Sequence, residues 1–284
     1  MKRKMDRNRK IEIMGIVNVT DNSYIESSRC LGPDGGPDVA AAIKRIGALL
    51  DEGAGIIDIG ACSTGPGTAP VSGETEWKRL EPVLEAAARE FPEARISVDT
   101  FRAEVVRRVF DAIGPFMVND ISAGEADAEM LPTVGELGLE YVAMHMRGNP
   151  MTMQGLTDYG PARNGMSPVA AAVAEYFGAF EAEAEKYGIH DWILDPGFGF
   201  AKTVEQNWQL MAEMDKVRRP GHRTLVGVSR KSMIYKKFKI STAEALPQTQ
   251  VLHLAALERG ADILRVHDAA EAVRTVEAYR ALGF

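Results

Sequence analysis

Short apolar runs alternate along the chain with longer segments in which apolar residues recur every three or four positions. The short runs predict buried β-strands, and the longer segments predict amphipathic helices. The predicted helices cover residues 37–52, 74–91, 102–112, 126–137, 167–187, 203–217, 243–259 and 268–281. Gly53, Gly114 and Gly188 stand at element ends, where glycine readily stops a helix. Eight strand–helix pairs therefore follow one another, with no linker or repeat after residue 10.

Each predicted strand ends on a residue that can bind or react. These ends are residues 17–20, 57–60, 98–100, 118–120, 143–145, 194–196, 228–231 and 265–268. Strands that alternate with helices imply parallel pairing and right-handed crossovers. An open doubly wound sheet binds its ligand at one switch point, whereas a barrel gathers all eight strand ends around one mouth. We therefore predict an α/β fold with a single (β/α)8 TIM barrel over residues 11–284.

Composition and charge limit the partners of such a domain. The chain has 284 residues, of which 45% are hydrophobic and 26% charged, as in ordinary globular proteins. Residues 1–10 are basic, but no apolar segment follows them, so they predict a disordered tail and not a secretory signal. The whole chain has a net charge of −7, and because residues 1–10 carry +5 the remainder carries −12, which argues against a nucleic-acid partner. No apolar run approaches membrane-spanning length, so we expect no membrane association.

The two cysteines and the glycine-rich stretches exclude several further classes. Cys30 and Cys62 lack the spacing of a disulfide framework or a zinc site, which favours a cytoplasmic location. The stretch 65–67 lacks the Gly-Lys-Ser/Thr ending of a phosphate-binding P-loop. His145 has no ligand companion at metal-binding spacing, so packing at a strand end is the better interpretation.

Four strand-end residues form a first candidate site: Asp99, Asn119, Asp195 and Lys231. Carboxylates and an amide can pair with a flat heterocycle that has a guanidine-like edge. The alternative is that Asp99 or Asp120 only caps the helix that follows it in the sequence. Four such residues on one rim favour a ligand.

A second set is cationic and comes from the last two strand ends: Arg230, Lys231, Arg265 and His267. In many barrels this region binds phosphate. Alternatively, Arg265 pairs with a neighbouring carboxylate such as Asp262 or Asp268. Asn18 offers an oxygen that suits Mg²⁺, but from this residue alone an asparagine that organises a loop is the better interpretation. Phe200, in the glycine-containing turn after Asp195, either walls an aryl pocket or packs in the core.

The ordered strand-end motifs together resemble the dihydropteroate synthases, a pterin-binding TIM-barrel family of folate synthesis. The resemblance runs from Ile11 to Ala281. It rests on residues 13–20, 58–60, 97–100, 118–121, 144–150, 195–200, 228–232 and 264–268. It implies a homodimeric enzyme that joins 6-hydroxymethyl-7,8-dihydropterin pyrophosphate to p-aminobenzoate and releases pyrophosphate, with Mg²⁺ as cofactor.

The resemblance also implies roles for particular residues. Pterin contacts are expected from Asp99, Asn119, Ile121, Met144, Asp195, Lys231 and Arg265. Contacts to p-aminobenzoate are expected from Ser229, Phe200, Thr64 and Pro66. Pyrophosphate contacts are expected from Asn18, Thr64, Arg265 and His267. Asn18 would hold Mg²⁺, and the expected catalytic residues are Lys231, Arg265, His267 and Asn18.

The chain departs from the family pattern in two loops. Thr20-Asp21-Asn22-Ser23-Tyr24 replaces Thr-Pro-Asp-Ser-Phe, and Glu26-Ser27-Ser28 replaces Asp-Gly-Gly. In the second loop Gly65 stands where the family has an arginine. These changes predict altered sulfonamide sensitivity. They also leave open a non-catalytic pterin-binding paralogue, and a methyltetrahydrofolate–corrinoid methyltransferase is a weaker alternative that would not need Arg265 or His267.

Overall fold

A computed structural model of the chain describes residues 9–20, 30–32 and 35–283. Eight parallel strands close into a barrel in sequential order. The strands are β1 (Glu12–Asn18), β2 (Ile56–Gly60), β3 (Ile96–Asp99), β4 (Met117–Asp120), β5 (Glu140–Met144), β6 (Trp192–Asp195), β7 (Arg223–Val226) and β8 (Ile263–Val266). The predicted TIM barrel is therefore confirmed.

The helices lie outside the barrel and agree in large part with the predicted segments. They are α1 (Val39–Asp51), α2 (Gly73–Glu90), α3 (Ala103–Ile113), α4 (Met130–Leu137), α5 (Pro168–Lys186), α6 (Val204–Ala212), α7 (Met214–Val217), α8 (Ser232–Phe238), α9 (Leu246–Glu258) and α10 (Ala269–Leu282). The helix predicted over 126–137 begins only at Met130, and the one over 203–217 is interrupted at Glu213. Helix α8 was not predicted.

Side chains inside the barrel follow the two-residue period of the strands. Seven buried apolar residues form a plug across the interior: Met14, Ile56, Met117, Val142, Ile193, Leu225 and Ile263. A residue two positions further along a strand points to the same side. The residues two positions after Ile56, Met117 and Ile263 therefore also point into the interior. They lie one layer closer to the mouth of the barrel. The polar strand ends point inward for this reason, and the apolar plug supports them from below.

A ring of charges closes the opposite end of the barrel. Glu12 accepts hydrogen bonds from Arg95 at 2.9 Å and from Arg223 at 3.2 Å. Glu140 accepts from the same two arginines, from Arg95 at 2.5 Å. Burial alone would raise the pKa of Glu12, but the bonds from Lys10 and Arg95 lower it overall. This end of the barrel is a structural network and lies away from the predicted strand ends.

The N-terminal segment reaches the barrel at Arg9. Its guanidinium donates to the carbonyl of Leu257 at 2.8 Å and lies 3.7 Å from the carboxylate of Asp262. The disordered tail predicted over residues 1–10 therefore does not include Arg9. Residues 1–8 lie outside the described residues, and the expectation for them stays a prediction.

Candidate active site

A cavity of about 640 Å³ opens at the carboxyl ends of the strands. Its lining includes these predicted site residues: Asn18, Thr64, Pro66, Asp99, Asn119, Ile121, Met144, Asp195, Phe200, Lys231, Arg265 and His267. Ser229 and Arg230 are the exceptions, and Arg230 is described below. Ser229 does not line the cavity. Its side chain is buried, and its hydroxyl lies 3.0 Å from Nδ1 of His267. The strand β7 ends at Val226, so Ser229 belongs to the turn before α8 and not to a strand end.

Arg265 links two carboxylates at the base of the cavity. Its Nε donates to Asp58 at 2.7 Å, and its Nη2 donates to Asp99 at 2.9 Å. The alternative pairing of Arg265 with Asp262 or Asp268 is therefore wrong. The charges hold the guanidinium in one orientation at the cavity floor, where a planar group can stack on it.

Asp58 lies at one of the predicted strand ends, but the sequence analysis gave it no role in the site. It is completely buried and also accepts hydrogen bonds from Ser97 at 2.6 Å and from the amide of Asn119 at 3.1 Å. It thereby orients Asn119 and Arg265 together. Its position two residues after the plug residue Ile56 is the signal that could have identified it.

Burial raises the pKa of Asp99 to about 7, although the guanidinium of Arg265 opposes this shift and Asp58 adds to it. Burial likewise raises the pKa of Asp195, with Lys231 as the main opposing charge. Asp195 also accepts a 2.8 Å hydrogen bond from the backbone N–H of Gly197. A cationic or guanidine-like ligand edge would favour the ionised form of both carboxyls.

Lys231 lies between the acidic floor and the aromatic wall. Its ammonium donates to the carbonyl of Phe198 at 2.6 Å and lies 4.9 Å from the ring centroid of Phe200. Burial lowers the pKa of Lys231 to about 8, and Asp195 opposes this shift. The aromatic-wall interpretation of Phe200 agrees with its place in the cavity lining.

The turn after β6 is held by a buried lysine, Lys202. Its ammonium lies 2.9 Å from Nδ1 of His145 and donates to the carbonyls of Gly197 at 2.9 Å and Phe200 at 3.0 Å. Burial lowers the pKa of Lys202 to about 7. Gly197 has φ of +70°, and a Cβ there would lie 2.0 Å from the carbonyl oxygen of His145. A side chain at position 197 would therefore force the turn that carries Phe200 to move.

Two members of the predicted cationic set have other roles. Burial lowers the pKa of His267 to about 3, with Arg265 adding to the effect, so the imidazole is neutral at neutral pH. Arg230 does not reach the cavity. It pairs with Asp268 through two 2.8 Å hydrogen bonds and also donates to the carbonyl of Ala243 at 2.7 Å. The cationic pair at the floor is therefore Lys231 and Arg265.

Asp120 does not cap the next helix, because α4 begins at Met130 and has no side-chain cap. Its carboxylate accepts from the backbone N–H groups of Ser122 at 2.7 Å and Gly124 at 2.8 Å, and from the hydroxyl of Tyr141 at 2.6 Å. It organises the turn after β4 and does not line the cavity. Asp99, by contrast, does line it.

The second loop forms part of the cavity wall through residues 62–66. Its Gly67 N–H donates to the carbonyl of Pro150 at 2.9 Å, which ties it to the loop after β5. Arg102 donates to the carbonyl of Val71 at 2.5 Å and pairs with the buried Glu76. Of the first loop, Asn18 and Thr20 line the cavity, whereas the altered positions 21–28 lie outside the described residues.

Further lining residues come from segments that the sequence analysis did not assign to the site. They are Met153, Gln154, Thr203, Val204, Asn207, Ser232, Tyr235 and Lys236. Most lie on helices or in the long loop after β5, where neither strand alternation nor a motif marks them. Within the described ranges, no group of three His, Cys, Asp or Glu side chains forms a metal cluster. No helix in that part of the chain is long and apolar enough to cross a membrane.

The barrel fold, and the carboxylates, amide and arginine at the floor of its cavity, agree with the family that the sequence matches. Residues 14–267 match the family described as pterin binding enzyme. The chain is 40% identical over 274 residues to dihydropteroate synthase of Escherichia coli strain K12, covering 94% of this chain and 90% of the relative. It is 39% identical over 268 residues to dihydropteroate synthase of Synechocystis, covering 93% and 87%.

Solved structures give the same result. A Yersinia pestis dihydropteroate synthase with a sulfonamide drug superimposes with a TM-score of 0.85 at 31% identity, covering 98% of this chain and 96% of that one. The Thermus thermophilus enzyme in complex with 4-aminobenzoate gives 0.82 at 31% identity, with the same coverage. The chain therefore belongs to the family of pterin-binding enzymes. Within it, the chain is one of the dihydropteroate synthases, transferases of folate synthesis.

Proposed function

We propose that this chain condenses 6-hydroxymethyl-7,8-dihydropterin pyrophosphate with p-aminobenzoate in a Mg²⁺-dependent reaction, giving 7,8-dihydropteroate and pyrophosphate. The observation that carries the proposal is the arrangement of Asp99, Asn119 and Asp195 around Arg265 in one cavity that also holds Phe200. This arrangement offers sites for a guanidine-like edge, a leaving anion and an aryl ring.

The pterin binds at the floor in this proposal. Asp99 and Asp195 accept hydrogen bonds from its guanidine-like edge, and Asn119, held by Asp58, pairs with the same ring system. Ile121 and Met144 supply the apolar sides of the slot. Arg265 stacks on the ring, because its two carboxylate partners keep its plane fixed.

Pyrophosphate lies toward Arg265, Asn18, Thr64 and the neutral His267. Asn18, Thr20 and Thr64 line the same cavity, and the amide and hydroxyl oxygens of such residues are hard donors that fit Mg²⁺. Since Mg²⁺ keeps waters and phosphate oxygens among its ligands, Asn18 can serve as its one protein ligand. The ion would supply positive charge that neutralises the leaving pyrophosphate.

The aryl amine lies against Phe200 in this proposal, and Thr64 and Pro66, which line the same cavity, contact it as well. Lys231 stands between it and the pterin. The carboxylate contact expected from Ser229 does not fit this structure, because Ser229 is buried outside the cavity lining and its hydroxyl bonds His267. Ser229 instead orients that imidazole.

The reaction follows from these positions. The bond between the exocyclic pterin carbon and the pyrophosphate oxygen breaks, and the electron pair leaves with pyrophosphate. The resulting cation is delocalised over the pterin. The amine nitrogen of p-aminobenzoate then bonds to that carbon and loses a proton to solvent. The residues supply orientation and charge stabilisation rather than a nucleophile.

The experiment is to supply purified protein with both substrates and Mg²⁺ and measure dihydropteroate and pyrophosphate together. Turnover that Asp99→Asn reduces strongly is expected. Protein that binds the pterin substrate but releases no pyrophosphate with p-aminobenzoate would favour the non-catalytic paralogue. That alternative is retained because Gly65 stands where the family has an arginine. The synthase relatives count against the methyltransferase alternative.

We also propose a homodimer in the cytoplasm. The support for the homodimer is the family resemblance alone, and the cytoplasmic location is inferred from the two buried free cysteines, Cys30 and Cys62. Burial raises the pKa of Cys30 to about 11, which keeps that thiol unreactive at neutral pH. Sedimentation at micromolar concentration would test the dimer, and localisation of a tagged chain in cells would test the compartment.

A further inference from the structure

Helix α8 forms one wall of the cavity through three residues on one face. Ser232, Tyr235 and Lys236 all line it. They are spaced i, i+3 and i+4, which places them side by side on a helix surface. The neighbouring Lys237 is exposed like Lys236 but does not belong to the lining.

The cations of the cavity differ in what they already bind. Arg265 is bound to Asp58 and Asp99, Lys231 donates to the carbonyl of Phe198, and Lys202 is enclosed by backbone carbonyls. Lys236 is different. Within the residues that the structure describes, its ammonium has no hydrogen bond or ion pair to the protein. It is therefore a lining cation that can take an anionic ligand without breaking a protein contact.

The position of Lys236 suits the far end of the aryl substrate. Lys231 contacts Phe200 and immediately precedes α8, so Lys236 follows about one helical turn further along the same wall. An aryl ring on Phe200 with its amine toward the pterin directs the para substituent outward. The second loop offers no cation to the cavity, since its lining residues 62–66 are all uncharged.

We propose that Lys236 binds the carboxylate of the aryl amine substrate and that Tyr235 flanks the same group. Lys236 thereby gives the site a preference for anionic over neutral aryl amines. This inference rests on the proposed function and adds a specificity residue to it.

The test compares Lys236→Gln with the control Lys237→Gln and with the charge-preserving Lys236→Arg. We expect Lys236→Gln to raise KM for p-aminobenzoate by about two- to fivefold with kcat changed less than KM, since an exposed ion pair contributes modestly. Lys236→Arg restores most of the loss, and Lys237→Gln matches the unmodified chain. With neutral 4-aminobenzamide, Lys236→Gln and the unmodified chain behave alike.

Other outcomes separate the two proposals. If Lys236→Gln and Lys237→Gln have the same KM for p-aminobenzoate, the inference is overturned. It is also overturned if Lys236→Gln weakens p-aminobenzoate and 4-aminobenzamide equally, because the contact is then not one of charge. Calorimetric binding of p-aminobenzoate needs no turnover. Weaker binding by Lys236→Gln in a chain that makes no dihydropteroate would support the Lys236 contact and defeat the proposed function.

Discussion

Arg265 on β8 donates a 2.7 Å hydrogen bond to Asp58 on β2, and Asp58 is completely buried. Strand β1 lies between these two strands, so the bond crosses the barrel interior above the apolar plug. The pair fixes the orientation of the guanidinium before any ligand arrives. Such preorganised charge is what a site needs in order to stabilise a leaving anion without rearrangement.

Removing Asp58 should therefore lower the stability of the fold. We predict that Asp58→Ala lowers the free energy of unfolding by about 3 kcal/mol. This is the lower end of the range for a broken buried ion pair, because Asp99 still accepts a hydrogen bond from Arg265. The control Ser97→Ala removes only one hydrogen bond to Asp58 and should cost about 1 kcal/mol. Urea unfolding measures both. Equal stability of the two variants would show that Arg265 is not anchored by Asp58.

The carboxyl of Asp99 should set the pH dependence of the reaction. Its pKa is raised to about 7, so the free enzyme gains the carboxylate, the form that accepts hydrogen bonds, as pH rises through neutrality. We predict that kcat/KM for the pterin substrate increases between about pH 6 and 8, and that Asp99→Asn removes this limb. His267 should add no limb there, since its pKa is about 3. An unchanged limb in Asp99→Asn would assign the titration to another group.

Gly197 and Gly188 provide a matched pair for the turn after β6. Their φ angles are +70° and +71°, but a Cβ at Gly197 would lie 2.0 Å from the carbonyl oxygen of His145, whereas nothing lies within 4 Å at Gly188. We predict that Gly188→Ala costs about 1–2 kcal/mol through backbone strain alone. Gly197→Ala should cost clearly more and raise KM for p-aminobenzoate, because Phe200 shifts with the turn. Thermal unfolding and steady-state kinetics check this, and similar values for both variants would contradict it.

The charge ring at the closed end should contribute stability without activity. We predict that Glu140→Gln lowers the free energy of unfolding by about 1–2 kcal/mol, because the partly buried Arg95 and Arg223 lose a shared partner. Glu136→Gln breaks an exposed pair with Arg107 and should change stability by less than about 1 kcal/mol. Neither variant should alter kcat/KM. A kinetic effect of Glu140→Gln would mean that the two ends of the barrel are coupled.

The pH dependence of the same ring follows from Glu12. Its pKa is lowered in the folded chain, so its stabilising contribution is present above the usual glutamate range and is lost on acidification. Asp99 has the opposite effect on stability. Its pKa is raised in the folded chain, so its contribution to the free energy of unfolding is lost as pH rises through about 7. Both effects can be separated by measuring unfolding of Asp99→Asn across pH.

The sequence by itself determined the barrel and most of its rim. Strand alternation and helical periodicity are local patterns that a sequence shows directly. Because strand side chains repeat every two residues, Asp195 points to the same side as the plug residue Ile193 and lies closer to the mouth. Helix α8 was missed because its seven residues are too few for a periodic signal. For the same reason Tyr235 and Lys236 were not assigned to the site.

Only the tertiary structure decided the partners and the charge states. Arg265 and Asp58 are 207 positions apart, and their contact depends on strand register that no local pattern encodes. Ser229 sits behind His267, and Arg230 turns to Asp268, because the chain leaves the sheet before those residues. The neutral form of His267 follows from burial, which depends on everything packed around a residue and not on its neighbours in sequence.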